Sequence, residues 1–205
     1  MQDTMNGGGI NLANDFRSAR FWAAELIERA LYPGAVAVDA TLGNGHDALW
    51  LCGLVGEAGR VYGFDVQAEA VERSRARLVE AGVEARATLI LDGHQNMLSY
   101  VAPESADAVM FNLGWLPGAA HGVTTRTETT LQAVHAALTV LKEDGVMTVC
   151  VYPGHEEGAR ELNALLDWAE NLNSARYSAM VRRYVNQKTS CPPVLFAIGR
   201  NLVRQ

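Results

Sequence analysis

Asp39-Ala40-Thr41-Leu42-Gly43-Asn44-Gly45-His46-Asp47 is the stretch that decides the fold. It grows out of a short apolar run, Ala35 to Asp39, with the look of a buried strand. Its glycines make a turn, and a helical pattern follows through Ala48 to Val55. Gly43-x-Gly45-x-x-Ala48 matches the G-x-G-x-x-G/A turn that joins a strand to a helix in nucleotide-binding units. On that reading the glycines let the backbone approach a ligand, with N–H groups pointing at it. The plain alternative is an ordinary tight strand-to-helix connection.

Outward from this turn the chain alternates. Apolar residues at helical spacing predict a helix from about Phe16 to Leu31, ended by Pro33-Gly34. Strands are expected over Arg60–Asp65, Ala85–Leu91, Ala106–Asn112 and, after an Asp144-Gly145 turn, Val146–Tyr152. Helices are expected over Ala68–Ala81, Glu128–Leu141 and Glu156–Leu172, and two last strands over Tyr177–Val185 and Val194–Ile198. Strand and helix in alternation imply an α/β fold, a Rossmann-like, mostly parallel seven-stranded sheet with helices on both faces. Ligands of such sheets sit at the carboxyl ends of the strands.

The chain has 205 residues, 49% hydrophobic and 20% charged, which suits one globular domain over residues 16–205. Residues 1–15 are polar and glycine-rich and read as a flexible tail without the features of a signal peptide. No apolar run reaches membrane-spanning length. Cys52, Cys150 and Cys191 are far apart, so no metal knuckle or redox pair is indicated, and a reducing cytoplasm suits them. Net charge is −6, yet six basic side chains and no acidic one follow Glu170. Arg176, Arg182, Arg183, Lys188, Arg200 and Arg204 are either a phosphate-facing patch or solvated strand and loop ends.

Polar clusters gather just after the predicted strands. Asp65 ends the second strand, twenty residues beyond Gly45, where a carboxylate accepts ribose hydroxyls, and Gln67 is within reach of the same sugar. This pair does not separate a nicotinamide dinucleotide from S-adenosylmethionine (SAM). Asp39 tilts the choice, because it suits a methionine ammonium and would repel a pyrophosphate. Asp92-Gly93-His94 follows the third strand, where an adenine amino group meets a carboxylate or a ring. The chain also has no room for a separate dehydrogenase substrate domain.

Phe111-Asn112-Leu113-Gly114-Trp115-Leu116-Pro117-Gly118 follows the fourth strand. Asn112-Leu113-Gly114-Trp115 is similar to the Asn-Pro-Pro-aromatic motif of methyltransferases acting on exocyclic amines. The Asn112 oxygen would accept the amine's N–H and aim its lone pair in line, while Trp115 stacks on the substrate ring. His121 or His155 would take a proton from an ammonium substrate. Thr124, Thr125, Tyr152, Asn186, Arg182 and Arg183 are the expected substrate contacts. His46 and His94 read as cofactor contacts, and His135, inside a helix, as structural.

Taken together, Asp39–Asp47, Gly63-Phe64-Asp65-Val66-Gln67, Phe111–Gly118, Val151–His155 with Gly158, and Asn186-Gln187 with Pro192-Pro193 resemble one group of class I methyltransferases, the rRNA methylase family. Within it the likeness is to the tRNA 5-aminomethyl-2-thiouridine methyltransferases, over about Ala35 to Ile198. The resemblance implies SAM as cofactor, with Asn44, Asp47, Asp65, Gln67 and His94 among its contacts beside Thr41, Gly43, Gly45, Asp92 and Asn112. It implies methylation of an aminomethyl group on a wobble uridine, and it favours a homodimer. Trp115 stands where a tyrosine is expected, and the segment before Phe16 is additional. The other readings are an rRNA or small-molecule amine methyltransferase, an NAD-dependent oxidoreductase, and a binding module with a vestigial pocket.

Overall fold

The computed structural model describes residues 18–114, 125–187 and 191–202. The expected tail, residues 1–15, lies outside them, as do Phe16, Trp115, His121, Thr124, Lys188 and Arg204. The first helix among the described residues, α1 (Ala19–Ala30), begins where the Ser18 hydroxyl accepts a hydrogen bond from the Phe21 N–H. The chain then runs through β1 (Val36–Asp39), α2 (His46–Val55), β2 (Arg60–Asp65), α3 (Ala68–Glu80), β3 (Ala87–Leu91) and β4 (Ala106–Asn112). It ends with α4 (Thr127–Val140), β5 (Leu141–Val151), α5 (Glu156–Glu170), β6 (Tyr177–Arg182) and β7 (Val194–Arg200).

These strands form one seven-stranded sheet in the order β3-β2-β1-β4-β5-β7-β6. The first five are mutually parallel, and β7 runs antiparallel between β5 and β6. This is the Rossmann-like, mostly parallel α/β sheet expected from the sequence. The strand order turns back between β1 and β4, and a crevice opens there at the carboxyl ends.

Alternation along each strand splits the core. Phe64, Val109, Phe111, Met147 and Val149 face α4 and α5. Ala37, Val61, Ala108 and Met110 face α2 and α3. On that second face α1 covers Cys150 and Leu195. At the amino ends of the strands, buried Asp107 accepts from Lys142 Nζ at 2.8 Å, from the Val36 N–H at 2.7 Å and from the Tyr32 hydroxyl at 3.3 Å.

Three local features differ from the sequence expectation. A 3-10 helix, His94–Ser99, stands after β3 where the sequence reading assigns no element, and its Met97 is fully buried. Strand β5 starts at Leu141, not after the Asp144-Gly145 turn. Leu141 is buried and pairs with Ala106, so the turn becomes a bulge, with Asp144 at φ 62. Strand β6 stops at Arg182 instead of Val185, because its partner β7 begins at Val194, beside Leu195, the last rung.

Candidate active site

The glycine turn is held from within. Gly43 and Gly45 both have positive φ, 52° and 74°. The Gly43 N–H donates to Asp65 Oδ2 at 2.9 Å, and the Gly45 N–H to the Leu42 carbonyl at 2.9 Å. The expectation that these N–H groups point at a ligand is therefore corrected. The turn uses these two N–H groups itself. Gly45 also answers to packing, since a Cβ there would lie 2.7 Å from the Cβ of Ser74 on α3. Ser74 and Arg77 close the turn from outside, donating to the Gly43 and Asn44 carbonyls. His46 opens α2 with its side chain exposed.

Asp39 is completely buried. Its Oδ1 accepts from the Thr41 N–H at 3.1 Å, and its Oδ2 has no hydrogen-bond partner among the described residues. Burial first, then the neighbouring Asp47 carboxylate, pushes its pKa up to about 7. An ionised carboxylate in that position is costly unless a cation meets it.

Asp65 accepts the Gly43 and Gln67 N–H groups, one on each oxygen. Burial raises its pKa, and those backbone donors oppose the rise. Asp92 accepts from Asn96 Nδ2 at 2.8 Å, the Tyr100 hydroxyl at 2.9 Å and the Gly93 N–H at 2.7 Å. The Asn96 bond is the main reason its pKa is lowered. His94 is buried, donates through Nδ1 to the Ala40 carbonyl at 3.1 Å, and packs edge-on against Phe111. Burial lowers its pKa, so it is a neutral wall.

Asn112 closes β4 beside these groups. Its backbone N–H donates to Thr41 Oγ1 at 2.7 Å, and its side-chain Nδ2 donates to Asp47 Oδ2 at 2.7 Å. The other Asp47 oxygen accepts from Arg20 at 2.8 Å. A cavity of about 410 Å³ opens here, lined among others by Arg20, Phe21, Asp47, Trp50, Met110 and Asn112.

The remaining expected residues divide. Thr125 bridges Gly114 and Glu161, accepting the Gly114 N–H at 3.1 Å and donating to Glu161 Oε2 at 3.1 Å. Half-buried Tyr152 packs against the small cluster that includes Cys150 and Leu195. His155 caps α5, with Nδ1 accepting from the Gly158 N–H at 3.1 Å. That use of Nδ1 makes the cap its evident role. Asn186 and Arg183 are exposed beyond β6. The guanidinium of Arg182 lies 3.6 Å from the centroid of the Trp22 ring on α1. Arg200 leaves the basic set altogether, being buried and bound to the Leu141 carbonyl and to Glu104. Trp115, His121 and Thr124 lie outside the described residues. His135 of α4 is exposed and packs edge-on against Trp168 of α5.

Sequence reasoning missed Arg20, Trp50, Ser74, Arg77 and Glu161. Each lies on a helix and reads as surface or core by periodicity, and only docking of the helices brings it to the turn or the crevice.

A family model described as "Putative rRNA methylase" matches residues 61–199. A tRNA (mnm(5)s(2)U34)-methyltransferase of Arabidopsis thaliana, chloroplastic, is 34% identical over 154 residues, 71% of this chain. The match spans only 56% of that relative's length. An rRNA-methylase structure from Clostridium thermocellum is 38% identical, with a TM-score of 0.87 over 90% of this chain and 98% of that one. A methyltransferase from Streptococcus mutans in complex with SAH is 33% identical, with a TM-score of 0.81 over 90% and 98%. No helix among the described residues is long and apolar enough to cross a membrane.

Proposed function

From the premise that this chain belongs to the rRNA methylase family of SAM-dependent methyltransferases, we propose that it methylates an exocyclic amine on RNA, the aminomethyl group of a modified wobble uridine in tRNA. The single observation that carries the amine reading is the orientation of Asn112. Its Nδ2 faces Asp47, so its Oδ1 is turned the other way, as an acceptor at the carboxyl edge of the sheet.

The residues present fit the cofactor. Asp39, with a buried oxygen lacking a donor, suits the methionine ammonium. Asp65 retains lone pairs for ribose hydroxyls, with Gln67 beside it, and Asp92, His94 and the Gly43–Gly45 turn follow the carboxyl ends of β3 and β1 in the same sheet. When bound, SAM supplies a sulfonium methyl, which the amine's lone pair takes while the carbon–sulfur electrons remain on sulfur. The work of the chain is to orient the acceptor nitrogen. Asn112 Oδ1 accepts one amine N–H and so points the lone pair along the line of attack. The His155 imidazole serves as a helix cap in this reading, leaving His121 as the expected proton acceptor.

The tRNA substrate is supported by the 34% identity to the chloroplastic enzyme and by exposed Arg183 beyond β6. Incubation with labelled SAM and undermodified tRNA is expected to label the tRNA, with transfer falling as salt rises. Label in ribosomal RNA alone would move the substrate, and label in no RNA would sink the RNA reading.

A further inference from the structure

We propose that Asp47 is a positioning residue that fixes the amide of Asn112 in its reactive orientation, and that Arg20 of α1 holds Asp47 in place for this purpose. The inference rests on the reading of Asn112 as the acceptor of the amine.

An asparagine amide has a donor end and an acceptor end, and a half-turn about its last bond exchanges them. Nothing in Asn112 itself selects the end presented to a substrate. Asp47 selects it. An ionised carboxylate only accepts, so at 2.7 Å Asp47 Oδ2 admits the NH₂ end of Asn112 and rejects the carbonyl end. The carbonyl oxygen is thereby committed to the opposite side. The backbone of Asn112 is pinned at the same time, by its N–H to Thr41 Oγ1 at 2.7 Å. With both ends fixed, only Oδ1 is left to receive a donor.

Arg20 completes the chain of contacts. It reaches Asp47 Oδ1 at 2.8 Å while Asn112 occupies Oδ2, so each carboxylate oxygen has its own donor. The side chains of the pair are 55% and 24% exposed. An ion pair that open contributes little to folding stability. Orientation is the consequence it does have, since it keeps the Asp47 carboxylate from rotating off Asn112. Arg20, Asp47 and Asn112 all line the cavity beside the crevice, so the first helix contributes to the reactive end.

Asp47→Asn keeps the shape but offers a donor as well as an acceptor, so the Asn112 amide is no longer committed. Full-length D47N is expected to lose about 10- to 100-fold in kcat, with the KM for tRNA changed less than about threefold and the Kd for SAM not raised, so that Asp47 acts on Asn112 and not as the SAM contact that the resemblance implies. In the ¹H–¹⁵N spectrum, the Asn112 side-chain amide, assigned by its absence in Asn112→Ser, is expected to shift and exchange faster in D47N. Arg20→Met should move the same resonance by less, and Arg20→Lys should restore it. A wild-type kcat or an unmoved Asn112 resonance in D47N overturns the proposal, and so does a large loss of SAM affinity, which would make Asp47 a cofactor ligand. If the wild-type protein labels no RNA, the amine reading fails instead, and the resonance still decides whether Asp47 orients Asn112.

Discussion

At the scale of single residues, the buried Asp39 carboxyl makes stability depend on pH. Its pKa is raised in the fold from the ordinary carboxylate range to about 7, so the folded state holds a proton that the unfolded chain releases. Stability from this group is full below the ordinary carboxylate range and is lost as pH rises towards about 7. A bound ammonium favours the ionised form, so the affinity for SAM should strengthen up to about pH 7 and level off above it. Calorimetric titration across that range checks this, with a slope approaching about tenfold per pH unit below the midpoint. Asp39→Asn should flatten the profile, weaken binding, and unfold at a higher denaturant concentration than wild type at neutral pH. Gly45→Ala places a Cβ 2.7 Å from Ser74 at a φ of 74°. It should destabilise the protein by about 1–3 kcal/mol in urea titration, with Ser74→Gly restoring only the steric part.

At the scale of elements, two pairings tie distant segments together. Glu161 of α5 is buried and accepts from Thr130 of α4 at 2.7 Å and from Thr125 at 3.1 Å. Burial raises its pKa despite both donors. Thr130→Val removes one donor and should cost about 1–3 kcal/mol in thermal or urea unfolding. The second pairing is Arg182 of β6 over Trp22 of α1. Charge reversal at Arg182 should lower both stability and RNA affinity, whereas reversal at exposed Arg183 should lower RNA affinity alone. Equal effects of the two substitutions on melting temperature would remove the stacking argument.

At the scale of the whole molecule, the two ends of the sheet do different work. The carboxyl ends of four neighbouring strands carry Asp39, Asp65, Asp92 and Asn112. The amino ends hold the fold together through Asp107, which Lys142 meets with both carboxylate oxygens at 2.8 and 2.9 Å. Lys142→Met should therefore lower stability by about 1–3 kcal/mol and leave SAM affinity unchanged, as parallel unfolding and binding titrations would measure. The sequence by itself determined the strand and helix order, because apolar periodicity and the Gly43–Gly45 turn are local signals. It also determined that the acidic and amide residues fall at strand ends, since that needs only the strand boundaries. The tertiary structure alone decided what those residues face. Gly45 is required by Ser74, 29 positions away, and Asn112 is oriented by Asp47, which Arg20 holds in turn. Arg200, read as part of a basic surface, is buried against Leu141 and Glu104, because the antiparallel β7 carries it back beside the start of β5. Hydrogen bonds and contacts between residues far apart in the chain leave no periodic trace in it, so they became visible only when the helices were docked on the sheet.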